Sequence, residues 1–148
     1  MANLRFLRDY EAKASCIANF WQLEEHNIPA TSGVYMLVAK PSIRFRYPKG
    51  GSSVYYIGRT ASLRRRLLGH LKDHIKAKTN NRGICSLYEP RHEYGAKFGG
   101  GYCFIESWRG RSARSLEDIV LARFAYRYHA FPVANSAGAW KRIEMEFV

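Results

Sequence analysis

Acidic side chains are scarce in this chain. Its 148 residues include 12 Asp and Glu against 24 Lys and Arg, and no acid falls between Glu25 and Asp73. So few carboxylates argue against enzymes that gather several of them round two ions ~4 Å apart. Cysteine is scarce too. Cys16, Cys85 and Cys103 are odd in number and widely spaced, which argues against a disulfide framework and for reduced thiols. A zinc site from Cys85, His92 and Cys103 has no C-x-x-C spacing to support it. Long apolar runs are missing: no stretch approaches the ~20 residues of a membrane span. The first residues, MANLRFLRDYEAKASC, have no apolar core of a secretory leader, so a cytoplasmic location is expected. There is no internal repeat and no low-complexity tract. No basic amphipathic helix with exposed large apolar residues stands out, so a membrane surface is not the expected partner.

What is present is a globular composition, 47% hydrophobic and 14% aromatic, enough for one domain over 1–148 with its own core. The formal net charge is +12. The acid-free stretch holds Lys40, Arg44, Arg46, Lys49, Arg59, Arg64, Arg65, Arg66 and Lys72. Such a field attracts polyanions, and phosphate backbones are the commonest of these.

Mixed helical periodicity predicts a helix over 9–26, and NIPATSG is a break. GVYMLVAK reads as a strand, PSIRFRYPKGGSS as a basic loop and VYYI as a second strand, implying an antiparallel pair with a long connection. A helix over 61–78 follows. Thr60 or Ser62 can cap it, and Leu63, Leu67, Leu71 and Ile75 form a buried stripe. Arg66, His70 and His74 form a parallel stripe. Residues 79–100 read mostly as loop and GYCFIESW as a third strand. SLEDIVLARFAYRYH reads as a helix with Ser115 and Asp118 as a capping box, and KRIEMEFV as a further strand. The pattern is α+β, a small mixed or antiparallel sheet covered by helices.

Side chains alternate along strands, so Tyr35 shares a face with Gly33 and Leu37, and Tyr56 with Val54 and Gly58. Pairing the strands can bring both phenols to one face. Arg66 can clamp a phosphate with a planar fork, and His70, one turn on, can relay a proton. Glu117, at a helix head beside Ile119, Val120, Leu121 and Phe124, either caps that helix or binds a cation.

GVY at 33–35, YIG at 56–58, then Arg66, His70, Glu117 and Asn135, in that order, resemble the GIY-YIG nuclease family over about residues 28–136. The resemblance implies an α/β sandwich round a three-stranded antiparallel sheet, and DNA cleavage with one Mg²⁺ or Mn²⁺ ion. It implies Tyr35 as the base activating water, Tyr56 as organiser of nucleophile and phosphate, and Gly58 as a close backbone turn. Arg66 would stabilise the pentacovalent phosphate, with His70 beside it, although His74 competes for that role. Glu117 would be the metal ligand and Asn135 the brace of the site. The 21-residue step from Tyr35 to Tyr56 and the 79–100 segment exceed the compact family pattern and read as substrate-contacting insertions. Arg44, Arg46, Lys49, Arg59, Arg64, Arg65, Lys72 and His74 are the expected nucleic-acid contacts, with double-stranded DNA the expected partner. With no separate DNA-reading domain, specificity would come from the insertions or from a homodimer, or would be low. Restriction, mobile-element and repair roles stay open. The competing reading is a non-catalytic DNA- or RNA-binding module on the same fold, and a basic RNA-associated protein is a third.

Overall fold

The structure, a computed structural model, describes residues 4–7, 14–17, 21, 24, 27–79, 94–95, 97–107 and 112–135. Six strands lie among them: β1 (Ser15–Ile17), β2 (Gly33–Ala39), β3 (Phe45–Tyr47), β4 (Gly50–Ser52), β5 (Val54–Thr60) and β6 (Gly99–Glu106). Two long helices follow β5 and β6, α1 (Leu63–Thr79) and α2 (Ala113–Tyr128). The main sheet is antiparallel with strand order β1-β6-β2-β5, and β3 with β4 forms a separate hairpin. The architecture is α+β, as the sequence predicts, but the sheet has four strands rather than three.

The fourth strand corrects the expected helix over 9–26. Ser15, Cys16 and Ile17 pair with Phe104, Cys103 and Tyr102 of β6. Small and β-branched residues have weak helix propensity, and an open sheet edge outweighs it. The expected strand at KRIEMEFV lies outside the described residues.

All seven residues of β2 are buried, because each face of this central strand has its own cover. Val34, Met36 and Val38 pack with Leu116, Val120, Leu121 and Phe124 of α2. Tyr35, Leu37 and Ala39 pack with Leu63 and Leu67 of α1. Each buried Val, Leu, Met or Phe among them contributes ~1.5–3 kcal/mol. Along α1 the burial fades: Leu71 is half-buried and Ile75 is 46% exposed, so the expected buried stripe ends before Ile75.

The long step between the two motif tyrosines is not a plain loop. It folds into the β3–β4 hairpin, turned at Gly50 with φ +100°, a conformation glycine adopts without strain. Tyr47 anchors it, with its hydroxyl donating to the Val54 carbonyl at 2.9 Å and accepting from the Val133 N–H at 3.1 Å.

The α2 cap also differs from expectation. Ser112, in extended conformation, is the N-cap and accepts from the Ser115 N–H at 3.1 Å. The helix begins ahead of Ser115, so the proposed Ser115–Asp118 box lies inside it. The far end closes at His129, in the left-handed region with φ 57°, donating its N–H to the Ala125 carbonyl at 2.7 Å. Ser112→Ala should lower unfolding free energy by about 1 kcal/mol, read from the urea midpoint. An unchanged midpoint would mean that the Ser112 hydroxyl contributes nothing to the helix start.

Candidate functional site

The site is assembled on β5 and its neighbours. Tyr35 pairs with Gly58 and Leu37 with Tyr56 across the β2–β5 ladder. Tyr35 and Tyr56 are therefore diagonal neighbours on the α1 face, with ring centroids 5.9 Å apart. The register skips Tyr55 between Leu37 and Val38. This bulge puts Val54 in the α2-side core while Tyr56 lies on the α1 side, correcting the expectation that the two share a face. The bulge also separates the roles of the tyrosine pair. Tyr55 is fully buried, and burial pushes its phenol well above the ordinary range. Tyr56 is half-buried beside Tyr35 and His70.

His70 enters this face from α1, 3% exposed, and its Nε2 lies 2.6 Å from the Tyr35 hydroxyl. The hydrogen bond ties the central strand to the helix. Its length is that of a strong bond between buried groups. Of the two histidines on the expected stripe, His70 contacts Tyr35; the His74 side chain lies outside the described residues.

Gly58 does more than ease a turn. A Cβ there would lie 2.6 Å from the Tyr35 hydroxyl, 2.7 Å from Tyr35 Cζ and 2.8 Å from Tyr56 Cε1. The Tyr35 ring crosses directly over the glycine, and only a hydrogen fits beneath it. Gly33 has a packing reason as well: its Cβ would collide with the Ile105 carbonyl oxygen across the ladder to β6.

Asn135 braces the other edge of β5. Its side-chain Oδ1 accepts from the Ile57 N–H at 3.0 Å, and its Nδ2 donates to the Ile57 carbonyl at 2.8 Å. The Ala134 N–H adds a bond to the Tyr55 carbonyl at 2.9 Å. The amide thus does for Ile57 what a further strand would do.

Glu117 approaches from the opposite face. It belongs to α2, is 7% exposed, and sits 3.7 Å from Nη1 of Arg59. Arg59 follows Gly58 on β5, so alternation turns it to the α2 side. The phenols with His70 and the carboxylate with Arg59 therefore occupy two faces of one strand, at adjacent residues. Arg59, expected only as a phosphate contact, is also the cation beside Glu117. Period-2 alternation from Gly58 could have placed it there. Among the described residues no three His, Cys, Asp or Glu side chains gather into a metal cage. Glu117, the one buried carboxylate among the described residues, fits an ion held by one protein ligand with water and substrate oxygens, the usual manner of Mg²⁺.

Arg66 lies one turn ahead of His70 on α1 and is exposed, as are Arg65 and Lys72. Arg44, Arg46 and Lys49 are exposed on the hairpin region, and Arg59 on β5. Arg64 differs: half-buried, it donates Nε–H to the Ile28 carbonyl at 2.9 Å, which ties α1 to the segment preceding β2. Its part is structural as well as electrostatic.

Gly58→Ala should force the Tyr35 ring off His70. Overpacking of this kind typically costs about 1–3 kcal/mol, measurable by urea unfolding. A variant as stable as the parent, with the Tyr35–His70 bond intact in its crystal structure, would refute the steric role given to Gly58.

No protein-family model matches the chain, and neither does any curated protein or solved structure.

Proposed function

We propose that the protein is a metal-dependent endonuclease that hydrolyses phosphodiester bonds in DNA, with the chemistry organised on β5. The observation that carries the reading is the 2.6 Å contact between Tyr35 and His70, seated over a glycine that admits no side chain. A phenol is a poor base while it holds its proton. An imidazole nitrogen at hydrogen-bond distance can accept that proton as the Tyr35 oxygen takes one from an attacking water. Tyr56, alongside, orients the water and the phosphate. Arg66, exposed one turn away, meets the charge that builds on the phosphoryl oxygens. Glu117 would hold the divalent ion, which supplies positive charge to the phosphate and the leaving oxygen when bound. The exposed Arg44, Arg46 and Lys49 give the duplex backbone a positive surface to lie against.

A second reading, a binding module without catalysis, draws on the Arg59–Glu117 contact at 3.7 Å, which already balances the carboxylate. Incubating the protein with supercoiled plasmid and Mg²⁺ or Mn²⁺ separates the two: the nuclease nicks or linearises the plasmid, and the binding module only retards it. Glu117→Gln should abolish cleavage and leave DNA affinity unchanged or higher. A Glu117→Gln protein that cuts at the parent rate would remove Glu117 from the chemistry.

Arg66 gives a sharper contrast. Losing one preorganised donor to developing charge costs a factor of about 10² to 10³ in rate. Arg66→Ala should show that loss in single-turnover cleavage with little change in affinity. Arg65 lies ~100° away round the helix, and Arg65→Ala should weaken binding slightly and keep most activity. Arg66→Lys should also be slow, since a point charge does not reproduce the fork. Equal, small effects at both positions would reduce these arginines to a general basic face.

A further inference from the structure

Cys16 and Cys103 are directly opposed partners in the antiparallel β1–β6 ladder. Opposed residues have Cα atoms about 4.5 or 5.5 Å apart, and both spacings lie within the disulfide range. Because they are opposed, their side chains leave the same face of the sheet, and both pack against the α2-side core. Both are free thiols, Cys103 buried and Cys16 partly accessible. The Cys103 thiol hydrogen-bonds to Cys16 and lowers its pKa, while the same contact and burial raise that of Cys103. One sulfur is thus more reactive and reachable, and the other is held beside it.

We propose that Cys16 and Cys103 form a peroxide-responsive thiol pair, Cys16 attacking and Cys103 resolving. The Cys16 thiolate attacks a hydroperoxide: an S–O bond forms, the O–O bond breaks, and the departing oxygen leaves with a proton as water or alcohol. The Cys103 sulfur then attacks the Cys16 sulfenic acid. An S–S bond forms, the S–O bond breaks, and the hydroxyl leaves as water with the Cys103 proton. Two thiols are oxidised by two electrons and one peroxide is reduced. The product clamps the short edge strand β1 to β6, beside the central strand that carries Tyr35. Nothing in this step depends on the nuclease reading.

The test treats the folded protein with a stoichiometric amount of hydrogen peroxide, then denatures and alkylates it without reductant. Of the three cysteines, Cys85 should remain fully alkylated. Intact mass should show one intramolecular disulfide, and peptide mapping should join Cys16 to Cys103. The oxidised protein should melt about 5–10 °C higher than the reduced one, because the cross-link closes a long loop. In Cys103→Ala, checked for its fold by circular dichroism, Cys16 should stop at sulfenic acid and be trapped by dimedone. The mapping on the parent protein stands by itself if that variant does not fold. Three intact thiols, a bond that includes Cys85, or a disulfide-linked dimer would each overturn the proposal.

Discussion

A buried phenol requires a partner, and the Tyr35 hydroxyl has one in His70 Nε2 at 2.6 Å. Much of the α1 face follows from that requirement. Tyr35 sits on the central strand, where every position is buried, so its hydroxyl must be satisfied from within the protein. The helix that answers it is docked by Leu63 and Leu67, both fully buried, and is fastened at its start by the Leu63 and Arg64 N–H groups to the Thr31 and Pro29 carbonyls. The strand alongside must be glycine where the ring crosses it. One bond thus fixes a helix position, a glycine and the orientation of a second tyrosine.

The strand β5 is the other point of dependence. It is an edge strand in the order β1-β6-β2-β5, and exposed edges invite unwanted pairing. The chain covers this one with the segment after α2, through Ala134 and both ends of the Asn135 amide. Cover of this kind holds Tyr56, Ile57 and Gly58 in register while leaving Arg59 exposed. An aspartate at 135 would serve the Ile57 N–H and face its carbonyl with another acceptor, so only an amide meets both groups.

Much of this was readable from the sequence, for identifiable reasons. β2 and β5 announce themselves by β-branched and aromatic runs, and period 2 puts Tyr35 and Tyr56 on a common face once the strands pair. Arg66 and His70 follow from helical spacing. Val54 departs from its expected face because a bulge at Tyr55 resets the alternation, and a bulge is a property of two strands, not of one sequence window. β1 is not legible in the sequence because three residues carry too little pattern to compete with the helical periodicity of their surroundings. Ile75 kept its place in the apolar stripe on paper, yet periodicity says nothing of where the sheet beneath a helix ends. The role of Gly58 could be named as close approach but not as clearance for a ring from the neighbouring strand, which only the register reveals.

Glu117 and Arg59 show why an ion pair can support two opposed functional readings. A carboxylate that is only 7% exposed needs a neighbouring positive charge, since an isolated buried anion is costly. A guanidinium at 3.7 Å, itself 40% exposed, meets that need without a metal. The contact also aims the carboxylate at β5. Because Arg59 is reached by solvent, its side chain can leave the carboxylate for a phosphate without uncovering any core. On the proposed reading, Glu117 would be the residue to hold a cation, and Arg59 would be free to meet a phosphate. Charge at the sheet edge would then stay balanced, with the phenols on the far side of Gly58 left in place.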